Sequence, residues 1–144
     1  MIPRYRAWDK IHKTMYKADD VKYIDIEKNQ IYVKTPSSEQ LNCYSLRDVD
    51  AMHSTGFTDK DGKCIFRGDI VVAETVLFAG VIGIDQDLGA YVVRFIGYKH
   101  FKRLRDVASS VVVIGNIYEN PELLEVRTWL SINMLDCPKS CFNG

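Results

Sequence analysis

A chain of 144 residues, 47% apolar and 26% charged, has the balance of a folded globular protein and the length of one domain or two very small ones. Nineteen Lys and Arg against nineteen Asp and Glu give a formal net charge of zero, which excludes a global field drawing the chain to nucleic acid, lipid or acidic substrates. No stretch reaches the roughly 18 uninterrupted apolar residues of a membrane span. Arg4, Arg6, Asp9 and Lys10 deny the N-terminus a signal-peptide apolar core. The expectation is a cytoplasmic protein with no membrane partner, in which Cys43, Cys64, Cys137 and Cys141 are reduced thiols.

In chain order, Tyr5 to Trp8 reads as a strand, followed by a turn over residues 9–12 and a short run at Met15 and Tyr16, which is a hairpin pattern. Val21 to Ile26 is a second strand, with Val21, Tyr23 and Asp25 in register on one face. A turn at Glu27 to Gln30 leads into Ile31 to Val33. Thr35-Pro36-Ser37-Ser38 is polar, and its proline lacks a ladder donor, so a boundary or long loop is expected there. In Lys60-Asp61-Gly62-Lys63 the Asp-Gly pair fits a tight hairpin turn with positive φ at both central residues. Strands follow at Ile70 to Val72, at Phe78 to Ile84 with a bulge or bend at Gly80 and Gly83, at Ala90 to Phe95, and at Val111 to Ile114. Ile70, Val72, Val93 and Val113 are expected to share one core. Asn120-Pro121-Glu122 supplies a cap residue, Pro at the first helical position and an acid in the first turn, so a short helix starts there.

Several of these segments together resemble the YopX family of phage and prophage proteins. The resemblance rests on three blocks. The first is Arg6-Ala7-Trp8-Asp9 with Lys13 and Met15. The second runs from Thr55 to Lys63 with Ile65, Gly68, Asp69, Ile70 and Val71, and the third from Val113 to Leu124. Cys64 and Phe66 depart from the family's usual acidic residue and tyrosine, and residues 125–144 run past the motif's usual end. The resemblance implies an all-β protein with an SH3-like barrel in its C-terminal part, encoded by a mobile element, and no established biochemical activity.

Asp59, Asp61 and Gly62 superficially suggest a calcium loop, but Lys63 and Cys64 stand where such a loop needs an oxygen ligand and a glycine. A hairpin turn explains them better. Asp69 after Gly68 fits a turn cap better than a catalytic carboxylate at a strand end. Cys137 and Cys141 lack zinc-knuckle spacing and a neighbouring His. His12, His53 and His100 are dispersed, and Gly80-Val81-Ile82-Gly83 lies in a strand without a P-loop ending. No catalytic, metal or cofactor site is read.

One local asymmetry stands out between Tyr98 and Arg105. Lys99, His100, Lys102, Arg103 and Arg105 accompany two aromatics with no acid before Asp106, a mixture that neutralises phosphates and stacks on bases. The competing reading, which is preferred, buries Phe101 and Leu104 and leaves the cations solvated. Tyr91, Tyr98 and Tyr118, with Phe95, offer aromatics for a peptide groove of the kind SH3-like barrels use, although most such rings are core.

The expected architecture is all-β: an N-terminal β-region over residues 1–58, an SH3-like barrel over 59–120, and a short helix with an apolar tail over 121–144. The tail, with Trp129, Leu130, Ile132, Met134 and Leu135, is expected to pack in cis or against another copy to form a homo-oligomer. The expected function is that of a non-enzymatic phage or prophage accessory protein. It binds a host or phage protein in preference to nucleic acid and uses no cofactor.

Overall fold

The structure, a computed structural model, describes residues 4–74 and 76–125. The chain is mostly β-strand with short helical turns, the all-β class expected, and it divides into two compact units at residues 54 and 55. The tail and its two cysteines lie outside the described residues. Among those described, no helix is long and apolar enough to cross a membrane. Cys43 stands exposed and Cys64 half-buried, each as a thiol.

In the first unit, β1 (Tyr5–Asp9) pairs antiparallel with β2 (Thr14–Tyr16) and with the opening half of β6 (Val49–Thr58). A three-stranded sheet is built from β3 (Val21–Asp25), β4 (Gln30–Val33) and β5 (Asn42–Ser45), with β4 central. Strand alternation puts Ile31 and Val33 inward, where they bury with Ala7, Tyr16 and Val49 as one core. The loop at Thr35 to Ser38 lies inside this unit instead of closing it, because Gln30 to Val33 pair onward with Ser45 to Asn42. The face assignment of the second strand is also corrected. The register of β3 slips by one residue between Val21 and Tyr23, a bulge at Lys22. Val21 and Ile24 therefore turn to the core, while Tyr23 stacks on Tyr32 at 4.2 Å with its ring half exposed.

The second unit holds β7 (Cys64–Phe66) and a five-stranded antiparallel sheet. In spatial order its strands are β11 (Lys102–Arg103), β10 (Ala90–Phe95), β9 (Val76–Asp85), β8 (Asp69–Ala73) and β12 (Val111–Asn116). Of the bend expected at Gly80 and Gly83, β9 has the first, while Gly83 pairs with Val92 in unbroken register. Val71 pairs with Gly80 but Ala73 pairs with Val76, so extra residues loop out of β9 before Gly80. Gly80 itself is a close-approach position, since an added Cβ would lie 2.7 Å from Val93 Cγ1 and 2.8 Å from Phe95 Cδ1. The core gathers Ile65, Val71, Ile82, Val93, Phe95, Leu104 and Val111, with Val113 half-buried against it. Val93 and Val113 belong there as expected, but Ile70 and Val72 do not. Val71 takes their place, because alternation sends both to the opposite face, where Ile70 is fully buried outside this cluster. The expected helix appears as a single 3-10 turn at Pro121–Leu124, and a one-turn helix α1 (Leu104–Val107) follows β11.

The turn between β6 and β7 is organised by Asp59, which is 5% exposed. Its Oδ1 accepts the backbone N–H groups of Asp61 and Lys63 at 2.9 and 2.8 Å, and its Oδ2 accepts that of Val113 at 2.9 Å. The Lys60 N–H also donates to the Val111 carbonyl at 2.9 Å. The turn thereby covers the side of β12 that β8 leaves unpaired. Only Gly62, at φ +83, takes positive φ here, so the turn closes over Asp59 to Lys63 instead of as a two-residue hairpin.

Replacing Asp59 with Ala removes the acceptor of three backbone donors and is expected to lower stability by about 3 kcal/mol in urea unfolding, with Asn costing less. A loss within about 0.5 kcal/mol, the range of an ordinary surface substitution, would contradict the assignment.

Candidate functional site

Five polar or charged residues are buried among the described residues: Asp9, Thr55, Asp59, Asp69 and Asn116. In a site of unknown chemistry such groups are the first candidates for acid, base or nucleophile. Each is engaged with the chain itself. Asp9 accepts the N–H groups of Ile11 and His12, the His12 ring Nδ1 at 2.7 Å and the Tyr16 hydroxyl at 2.6 Å. Burial pushes the Asp9 carboxyl up, but these donors outweigh it and hold the group below the ordinary carboxylate range. Burial and the Asp9 carboxylate push the Tyr16 hydroxyl well above its usual value, so it remains a donor. The Asp9–His12 contact has the outline of a catalytic dyad, yet it sits within a four-residue turn whose backbone the same carboxylate ties.

Thr55 Oγ1 donates to the Ile65 carbonyl at 2.7 Å. Asp69 Oδ2 accepts the Phe66 N–H at 2.8 Å, which is the turn cap expected of it. Asn116 Oδ1 accepts the N–H groups of Tyr118 and Glu119, and its Nδ2 donates to Glu119 Oε1. These side chains replace water as partners for turn backbone. Asp59 behaves as Asp9 does: burial raises its pKa, and the Val113, Lys63 and Asp61 amides lower it further than burial raises it. No group of three or more potential metal ligands occurs among the described residues.

Of the basic-aromatic segment, Lys99 and His100 lie exposed in the loop after β10, and Lys102 and Arg103 form β11, paired with Val93 and Val92. Arg105 is exposed on α1 and lies 3.7 Å from Asp106. Leu104 is fully buried and Phe101 half-buried, so the cations ride on an apolar underside. Lys102 and Arg103 line a shallow groove of about 620 Å³ with Leu88, Phe101, Asp106 and Val107. The Arg94 guanidinium lies 4.9 Å from the Phe101 ring centroid and pairs with Asp85 at 3.2 Å. The three tyrosines are deployed differently from one another. Tyr91 packs on the second-unit core, Tyr98 is half exposed with its ring edge-on to Phe95, and Tyr118 is half-buried in the turn that Asn116 holds.

A second concavity, of about 550 Å³, lies in the first unit along β3. Its lining comes from Arg4 and Tyr5, from the Val21 to Ile26 region, and from Leu46, Ala51 and His53. Sequence reasoning did not single these residues out, because they are ordinary strand and turn residues brought together from positions some 50 apart.

Taken together, the fold and its turns define a small two-unit all-β protein whose buried polar side chains hold loop backbone. The sequence matches the model of the family described as YopX protein over residues 4–125, and the chain belongs to that family. The resemblance carried by the three sequence blocks is thereby borne out. Protein EF1440 from Enterococcus faecalis has a similar crystal structure, with a TM-score of 0.61 and 27% identity over 87% of this chain and 99% of that one. Protein yopX from Bacillus subtilis is similar in fold, with a TM-score of 0.57 and 21% identity over 85% of this chain and 95% of that one. No curated protein matches the chain.

Because Asp9 and Asp59 have depressed carboxyl pKa values in the folded state, their contribution to stability is complete above the unfolded carboxylate value of about 4. It is lost as pH falls through the folded values. Tyr16→Phe removes the 2.6 Å hydroxyl donor to Asp9. It is expected to cost about 2 kcal/mol at neutral pH and to raise the Asp9 carboxyl, read by carboxyl-carbon NMR titration. An Asp9 titration identical in the two proteins would show that the hydroxyl does not hold it.

Proposed function

We propose that this protein is a non-enzymatic macromolecule-binding module, a phage or prophage accessory protein acting in the cytoplasm of a bacterial host, whose partner is a protein. The second unit is read as an SH3-like barrel. Its five-strand order and the turn laid on the outer edge of β12 support that reading. The contact surface is the groove at Leu88, Phe101, Lys102 and Arg103.

One observation favours a protein over nucleic acid as the ligand. The groove mixes cations with Asp106 and with the apolar Leu88 and Val107, and the Phe101 ring already carries the Arg94 guanidinium. Single-stranded nucleic acid asks for open aromatic faces along an unbroken cationic track. A protein surface presenting an apolar side chain beside a carboxylate suits the mixture better. The nucleic-acid alternative rests on Lys99, His100, Lys102, Arg103 and Arg105. Four permanent cations limit its salt dependence to a slope of about three or four.

Affinity purification from an infected or lysogenic host, with and without nuclease, compares the wild type with a Lys102→Glu, Arg103→Glu double variant whose melting is first checked. The expected result is one protein retained by the wild type under both conditions and lost by the variant. Retention that disappears with nuclease moves the function to nucleic acid, and retention by the variant places the contact elsewhere.

A further inference from the structure

The cleft in the first unit differs in kind from the groove of the second. Four consecutive residues of β3, Val21 to Ile24, contribute to its wall. Val21 and Ile24 turn to the core and Tyr23 away from it, so a cavity touching all of them borders the strand's edge and not one face. β3 is an edge strand of its sheet, with β4 on one side only. Ile26, 83% exposed, and Tyr23, 52% exposed, are large apolar side chains set along this cleft. Two such residues beside a concave apolar wall form a patch that a solvated protein has reason to cover.

The lining of the cleft carries cations, and its one paired carboxylate lies outside the lining. Its polar lining consists of Arg4, Lys22 and His53, with the Tyr5 hydroxyl 2.6 Å from His53 Nε2, and no carboxylate is among the lining residues. Asp19 stands at the rim. It pairs with Arg4, with side chains 51% and 87% exposed, and its backbone carbonyl accepts Lys22 Nζ at 2.7 Å. An ion pair so exposed is worth little and exchanges readily for another carboxylate.

Two copies meeting cleft to cleft are a poor fit, since the Arg4 and Lys22 of each would face those of the other. The bulge and cation at Lys22 also interrupt the edge that strand-to-strand pairing would need. Recognition by side chains is left. We propose that this cleft binds a short acidic peptide segment of another protein, in which a large apolar side chain enters between Tyr23, Ile24 and Leu46 and a nearby carboxylate meets Arg4, Lys22 and His53. A volume of about 550 Å³ accommodates one such anchor with its neighbouring residues.

A displayed library of random 12-residue peptides, selected on the full chain, tests this directly. Enriched peptides are expected to carry a large apolar residue with Asp or Glu within three positions. A synthetic copy of the most enriched peptide is then titrated. Its NMR shift changes should centre on Arg4, Tyr5, Lys22, Tyr23, Ile26 and His53. Lys22→Glu and Ile26→Ser, both at exposed positions, should each weaken binding by about tenfold or more. The charge-matched Lys99→Glu, at an exposed position of the second unit, should leave it within about twofold. Melting curves establish that all three variants fold. No enrichment, enrichment of peptides without acids, shifts confined to the second unit, or binding indifferent to Lys22→Glu and Ile26→Ser would each overturn the proposal.

Discussion

The hydrogen bond between the Asp59 carboxylate and the Val113 amide spans 54 residues of sequence and ties a turn to the strand that completes the main sheet. The outer side of β12 would otherwise present unpaired backbone at a sheet edge, an invitation to pairing with other chains. A hairpin turn alone would not cover it. One carboxylate does so by gathering two N–H groups of its own turn with one oxygen and reaching across with the other. The arrangement requires the turn to be wide enough to present both oxygens, which is why Gly62 supplies the single positive φ and the turn closes at Lys63.

The same logic runs through the molecule. Every buried polar or charged residue among those described falls within one of the three blocks that carry the family resemblance: Asp9 in the first, Thr55, Asp59 and Asp69 in the second, Asn116 in the third. Each bonds backbone, of its own turn or of a neighbouring strand, and a buried backbone donor without a partner costs about as much as such a bond yields. The blocks are therefore a signature of fold. Neither concave surface shares a residue with them: the groove is drawn from Leu88 and residues between 101 and 107, the cleft from strand and turn residues of the first unit. Membership of the YopX family thus accounts for the architecture, and the partner has to be read from surfaces that the signature does not cover.

Much of the fold was legible because turns and strands announce themselves locally. The hairpin at Tyr5 to Tyr16, the bend of β9 before Gly80 and the Pro121 turn all follow from residue type and spacing. The failures share a cause, which is information held by a distant partner strand. The bulge at Lys22 arises from the pairing of Val21 with Val33 and Tyr23 with Tyr32, and nothing in Val21 to Asp25 alone marks it. Val71 and Val72 are both β-branched, so the choice of which one faces the core is made by register with β12 and β9. β5 was missed because Asn42-Cys43-Tyr44-Ser45 lacks alternation and is a strand only through β4. Of the candidate site, the cations could be found as a dense run. Their groove could not, since Leu88 joins it from another turn, nor could the cleft, which sequence separation hides.

The claim that buried polar side chains close turns onto strands is tested most directly by native-state hydrogen exchange of the Asp61, Lys63 and Val113 amides in the wild type and in Asp59→Ser. The account predicts that the three amides are protected together in the wild type. It predicts that all three lose protection in the variant, while amides of the interior strand β10, such as that of Val93, change only as much as global stability does. Val113 exchanging at an unchanged rate in Asp59→Ser, or as fast in the wild type as an open turn amide, would contradict it.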